Sequence, residues 1–527
     1  MTAWHRVAAA AGVALALAAP LRAQRPAPRS LPALPDTSGW GVYVLAAVEA
    51  PDGAVWVGTY GEGIFRLPAG AARWEQIRSD TTATSISWNF VDALAFGPRG
   101  EVWYGTVGNG WGLSTDGGAH WRNWALKQLG PEWQYVAPGA IVTRGDTTVI
   151  GTADGLQITA DDGAHWTAIG DTVGPRARGP ADRALALLPS EYVLRLWRAR
   201  AGGVGFTTLR GAGQLVGGKE WRVRLAPATP PPSDVVTLRG RRYRMTHCGL
   251  QRADRAPQRC LPAIAPPADA PALPRTAWFR RPIDRTDNSR IDETYRFGST
   301  MGGNFQAHQG IEFNNPDGTP VHAIGGGQVV YAGPAEAGAL TVAIRHDTTI
   351  VRDGRPVPIY SVYYHNSALL VHVGDRVRAG AVISLVGNTG RATNDHLHLE
   401  VHASPTDSVG AIVDSLQRYP PYNTNPELWI APLPGTGIVA GRVVDSTGRA
   451  VPQARIYGLT MPQPAETPLS FVETYGPRNH AHPLYGEQFA IGDIPAGAYT
   501  LGVDIDGRRV FRRVRVSAGR LTWVEFR

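Results

Sequence analysis

Fourteen histidines are spread over the 527 residues, and a disproportionate share lies between residues 308 and 402. Three local patterns there combine groups that bind metal or move protons: His308-Gln309-Gly310-Ile311-Glu312-Phe313, Tyr363-Tyr364-His365 and His396-Leu397-His398-Leu399-Glu400-Val401. A catalytic zinc ion takes about three protein ligands from imidazole and carboxylate and keeps one position open for water, a count that His308, Glu312 and His398 meet. In the third pattern Leu397, Leu399 and Val401 alternate with polar residues. That alternation predicts a half-buried strand with His396 and His398 on one face, about 6 to 7 Å apart. His308 and Glu312 are four apart, as on a helix, yet Gly310, Ile311 and the turn sequence Asn314-Asn315-Pro316-Asp317-Gly318 predict a strand running into a tight loop. The helical His-Glu-x-x-His zinc motif is absent. His322, His346, His372 and His402 read as structural or surface residues; His402 would sit about 13 Å beyond His396 on the same strand, too far for one coordination shell.

The frame around these groups runs from Pro316-Asp317-Gly318-Thr319-Pro320-Val321 to Gly327-Gln328-Val329-Val330-Tyr331-Ala332-Gly333, and from Val373-Gly374-Asp375-Arg376-Val377-Arg378-Ala379-Gly380 to Val386-Gly387-Asn388-Thr389-Gly390. It resembles the β-sheet core of lysostaphin/LytM-type endopeptidases, over about a quarter of the chain. The resemblance implies an antiparallel β-sheet peptidase domain at 285–430, with zinc held by His308, Glu312 and His398, and His365 and His396 as catalytic histidines. Tyr363 would fill the aromatic position before the first of them. The implied reaction is hydrolysis of a peptide bond, with peptidoglycan stem or cross-bridge peptides as substrate. Zinc brings the pKa of its water to about 7. One of His365 and His396 would take a proton or pass it to the leaving amine, and either could donate to the developing oxyanion. Two positions depart from the pattern: Glu312 stands where the family has Asp, and Phe297-Gly298-Ser299-Thr300 stands where it has Phe-Gly-x-Arg, so that Thr300 removes a cation from the groove.

The flanking sequence predicts mostly strand in several domains, since 62 Gly and 42 Pro favour turn-rich β structure over long helices. Residues 38–262 carry an imperfect repeat, clearest at Ala54–Thr59, Glu101–Thr106 and Thr148–Thr152 and weaker around Gly205 and Tyr243, with the period of a four-stranded propeller blade. Two copies end in Ser114-Thr115-Asp116-Gly117-Gly118-Ala119-His120-Trp121 and Thr159-Ala160-Asp161-Asp162-Gly163-Ala164-His165-Trp166. Both resemble the structural Asp-box of sialidase-like propellers, in which Asp bonds the turn backbone, Gly takes positive φ and Trp packs between blades. Trp56, Trp103, Trp121 and Trp166 accordingly read as packing. A Pro-rich stretch at 263–284 reads as a linker. Residues 436–527 show short strands at sandwich spacing and resemble carboxypeptidase-regulatory-like β-sandwiches, which are accessories without catalysis.

At the N-terminus, His5 and Arg6 precede the apolar run Val7–Ala19, and Pro20-Leu21-Arg22-Ala23 offers a cleavage site, so residues 1–23 read as a secretion signal. The run is shorter than the roughly 20 residues of a spanning helix, and no later stretch is long enough. Export to the periplasm, cell envelope or medium is expected, with no transmembrane segment after signal removal. In an oxidising compartment Cys248 and Cys260 could pair or stay thiols. The net charge of +8 suits an anionic envelope surface but is diluted along the chain, and nucleic acid is not an expected partner. Two further function classes fit the same residues: a non-catalytic LytM-type scaffold that recruits or activates another wall enzyme, and a propeller binding an envelope glycan or protein with an auxiliary peptidase.

Overall fold

The computed structural model describes residues 30–130, 133–170, 187–199, 202–217, 221–227, 230–231, 234–258, 272–273, 279–414, 419–459 and 471–527. The expected signal, Cys260 and most of the Pro-rich stretch lie outside them. The fold is mostly β, in several separate sheets, with one four-residue α-helix at Leu126–Leu129 among the described residues.

The sheet that carries the histidines is antiparallel and has seven strands. Across it lie Ile311–Asn314, His396–Ala403, Arg355–Asn366, Leu340–Arg352, Gly327–Pro334 and Arg376–Val377, with Asn423–Thr424 paired to His396–Ala403. Alternation works as the sequence predicts on one face: Leu397, Leu399 and Val401 enter a core with Ile311, Phe313, Val342 and Ile359. The other face was expected to be open. Instead every residue of His396–Ala403 is buried. Phe279 and Ile283, inside the stretch read as a linker, belong to this same core, and Phe279 bridges to Ile430.

Before it come five antiparallel sheets, each of consecutive strands, beginning at Val44–Glu49, Val91–Phe96, Val136–Arg144, Val193–Arg198 and Val235–Leu238. Each of the first three leading strands packs on the next in order, up to Val193–Arg198, while Val44–Glu49 also packs on Val235–Leu238 and Arg241–Thr246. The two Asp turns behave as their chemistry requires. Asp116 Oδ1 accepts from His120 N at 3.0 Å and Asp161 Oδ1 from His165 N at 2.9 Å, with Gly117 and Gly163 at positive φ. Trp121 then packs edge-on to Trp56 of the preceding sheet, and Trp166 to Trp103. Cys248 is disulfide-bonded.

After it come two four-stranded sheets, which share a core of Val439, Phe489, Ile491 and Phe526 from one and Ile456, Leu501, Val503 and Val514 from the other. The strand Thr436–Val443 is covered on both sides, because Ile438 and Ala440 point into the core of the central sheet. Residues 33–527 therefore form one unit. The segment 292–305 is where the three parts meet. Met301 enters an aromatic cluster of Tyr60, Trp88, Phe90, Tyr135 and Tyr192, and Arg296 pairs with buried Glu427, whose carboxylate also accepts from Gly492 N.

Glu293 in this segment is buried, and its Oε2 has no hydrogen-bond partner. Burial, opposed by Arg296, raises its pKa to about 8. A carboxyl that keeps its proton in the folded state but loses it in the unfolded chain favours unfolding as pH rises from the usual carboxylate range toward 8. Glu293→Gln should therefore raise the thermal midpoint at pH 8 and make little difference at pH 4, as scanning calorimetry at both values can check.

Candidate active site

Register sets the first two groups. Glu312 on Ile311–Asn314 is the direct partner of His398 on the neighbouring strand, so both side chains stand on one face. His308 lies in the loop before the strand and folds back over them. Its Nε2 is 3.2 Å from Glu312 Oε1 and 3.1 Å from His398 Nδ1. The ligand atoms of these three residues all fall within 4.8 Å of one another, the only such group of three or more among the described residues. Two ring nitrogens and a carboxylate oxygen this close suit a shared cation. The extra methylene of Glu312 does not displace its oxygen from the cluster.

The remaining two histidines flank this group. His396 Nε2 is 3.5 Å from Glu312 Oε1 and has no hydrogen-bond partner. The rings of His365 and His396 lie 4.8 Å apart, and those of His365 and His398 5.8 Å. His365 reaches this face by an irregularity. Tyr364 pairs with His398 and Tyr363 with Leu399, so strict alternation would send residue 365 to the core with Tyr363. A φ of 67° at His365 turns the backbone there into the left-handed region, unusual for a residue with a Cβ, and the ring comes to the histidine side. Tyr363 itself faces away, accepting from Ile324 N and Ser361 Oγ.

Carbonyls fix the tautomers. His365 Nδ1 lies 2.7 Å from Thr389 O, and His396 Nδ1 lies 2.9 Å from Asn394 O. A carbonyl only accepts, so each Nδ1 carries hydrogen and each Nε2 is left as a base. On His398 the roles differ: Nδ1 faces His308 and Glu312, while Nε2 lies 3.3 Å from Glu400 Oε1. Glu400 Oε2 in turn meets His402 Nε2 at 2.7 Å. Burial alone would lower the His398 pKa, but hydrogen bonds to Glu312 and Glu400 outweigh it and bring it to about 9. Burial also pushes His308 down, only partly offset by Glu312, and drives His365 well below the usual imidazole value, helped by its neighbours His396 and His398.

Sequence reasoning missed several supporting groups. Glu400 was readable, since it continues the alternation of His396 and His398. Tyr364, 5.6 Å from the His398 ring, and Tyr295, stacked on His308 at 3.9 Å and 15°, had no spacing signal. Asn479, from the C-terminal sheets, donates to His308 O at 2.7 Å across 171 positions. Thr300, where a cation was expected, has its N–H and hydroxyl bound by Glu473. His322, His346, His372 and His402 stay outside the metal-ligand group: His322 meets Gly380 O, His346 meets Ser361 Oγ and Gly326 O, and His372 lies by Asp375.

Comparison with known proteins places these residues in a family context. The chain is 32% identical over 137 residues to the peptidoglycan DD-endopeptidase ShyC of Vibrio cholerae, covering 25% of this chain and 29% of that protein. It is 35% identical over 115 residues to ShyA of the same organism (21% and 25%) and 35% identical over 107 residues to the DD-carboxypeptidase/endopeptidase Mpg of Neisseria meningitidis (20% and 23%). The chain thus spans under a third of the length of these relatives. Among solved structures, the catalytic domain of lysostaphin from Staphylococcus simulans is 29% identical, with 26% of this chain and 86% of that one covered and a TM-score of 0.19. The model of Peptidase family M23 matches residues 306–409, the same stretch that holds His308, Glu312, His365, His396 and His398.

Proposed function

We propose that this chain is an exported zinc endopeptidase that hydrolyses peptide bonds in peptidoglycan stem or cross-bridge peptides. The observation that carries the reading is the convergence of His308, Glu312 and His398 on one point, flanked by two histidines with free Nε2 atoms. The family match over the same residues and the peptidoglycan activity in the names of ShyC, ShyA and Mpg support it.

His308 Nε2, Glu312 Oε1 and His398 Nδ1 would hold the metal, and Glu400 would orient the His398 ring from behind. When bound, zinc supplies Lewis acidity toward water and toward the scissile carbonyl. His365 and His396, each with Nδ1 donating to a carbonyl, present Nε2 as a base. One of the two would take a proton at Nε2 and either could pass one to the leaving amine. Tyr295 stacks on His308 and Tyr364 meets the His398 ring edge-on, which holds both imidazoles in place. The five N-terminal sheets would form a propeller whose aromatic face seats the peptidase, and the two C-terminal sheets a β-sandwich. Export rests on residues 1–23, and no helix among the described residues is long and apolar enough to cross a membrane.

Purified sacculi digested with the mature protein should release muropeptides with newly freed peptide ends by mass spectrometry, and His398→Ala should release none. Intact sacculi after prolonged digestion by the wild type would refute the substrate assignment.

His365→Ala and His396→Ala should each retain about one equivalent of zinc yet lose about 100-fold or more in turnover. Metal analysis beside rate measurements separates this from loss of the ion.

Glu312→Gln should weaken zinc binding at least 10-fold, because the amide lacks the charge that helps to hold the cation, whereas Glu312→Asp should keep part of both binding and activity. Competition with a chelator of known affinity reads the difference.

A further inference from the structure

The chain between Phe471–Glu473 and Phe489–Pro495 leaves its own sheet and lies along the active site. Asn479 donates to the backbone of His308, His480 bridges in parallel to Thr424, and Tyr475 accepts from Asn425. These contacts set the position of Arg478, which is exposed. Its guanidinium carbon lies 4.5 Å over the ring of Tyr419, and Nη1 donates to Gln306 Oε1 at 3.3 Å. Tyr419 donates to the same oxygen at 2.7 Å. Gln306 in turn accepts at its backbone from Tyr295, whose ring covers His308. An unbroken series of contacts therefore ties Arg478 to a metal ligand, and Gln306 precedes that ligand by about 7 Å of chain.

Arg478 makes no ion pair among the described residues, whereas Arg281 and Arg296 of the adjoining segment are committed to Asp493 and Glu427. A guanidinium has five donors, of which one is used here. The Tyr419 ring beneath the guanidinium restrains it and lowers the entropy lost when it takes an anion. Thr300, where the resembling family carries Arg, is occupied with Glu473 on the same C-terminal sheets.

We infer that Arg478 is a specificity-determining residue that binds a carboxylate of the peptide substrate beside the His308 loop. The inference rests on the peptidase reading above and names the chemical class it selects: acidic peptides, bound through a bidentate or single charge-assisted hydrogen bond. It also gives the C-terminal sheets a part in recognition, since the segment between their strands sets Arg478 beside the His308 loop.

The test measures binding, so that it does not depend on turnover. The zinc-loaded full chain carrying His396→Ala is titrated with a stem tetrapeptide (L-Ala, D-Glu, diaminopimelate, D-Ala) with its carboxylates free, and with the same peptide fully amidated. The acid form should bind about 10-fold more tightly. Adding Arg478→Gln should abolish that preference and leave affinity for the amide unchanged, and Arg478→Lys, which keeps the charge but loses the fork, should restore part of it. Unfolding curves of each form confirm that the fold is retained. Equal binding of acid and amide, no binding of either, or a preference that survives Arg478→Gln would overturn the inference. Failure of the zinc-loaded wild type to cleave sacculi, with the preference intact, would instead count against the peptidase reading alone.

Discussion

The strand His396–Ala403 is buried on both faces, and one of those faces is made of His396, His398, Glu400 and His402. Ionisable groups taken out of water are costly unless each finds a partner. The partners define the site. Glu400 lies between His398 and His402, Glu312 reaches all three imidazoles of the cluster from the adjacent strand, and a carbonyl fixes His396. The ring nitrogens of His308 and His398 and the carboxylate of Glu312 still face one another, and they are the donors a divalent cation would take up.

His308 is the one residue of this group not set by sheet register, and its position depends on the segment before it. That segment is fastened from two sides. Phe305 packs on Trp88 and Met301 enters the aromatic cluster of the N-terminal sheets. Thr300 and the His308 backbone are bound by Glu473 and Asn479 of the C-terminal sheets. Loops are ordinarily too mobile to hold a metal ligand within the fraction of an ångström that catalysis needs, and fixing one from both sides supplies the missing rigidity. The flanking sheets therefore bear on the chemistry through the position of a single loop.

Much of this was legible beforehand because it is local. Period-two alternation placed His396 with His398 and would have placed Glu400; the turn residues after Phe313 announced the end of that strand; Asp116 and Asp161 announced their hairpins. Three things were not legible. The histidine face is buried by groups that alternation alone does not announce, among them Tyr364 against His398, while Tyr295 covers His308. His365 was identified by resemblance, but its route to the site is a left-handed residue in a strand, contrary to what propensity predicts. Asn479, Glu473 and Arg478 are more than 160 positions from the loop residues they meet, and no short-range pattern carries such a contact. Phe279 and Ile283 show the converse error: a Pro-rich composition read as linker, while two apolar side chains inside it belong to the core.

The central claim is that two imidazoles and one carboxylate hold a single zinc ion. X-ray absorption at the zinc edge, on protein loaded with one equivalent, reads the coordination shell directly. The account predicts four light-atom neighbours at about 2.0–2.2 Å, with multiple-scattering features of two imidazoles. A shell with three imidazoles or with sulfur, or a spectrum unchanged by His398→Ala, would contradict it.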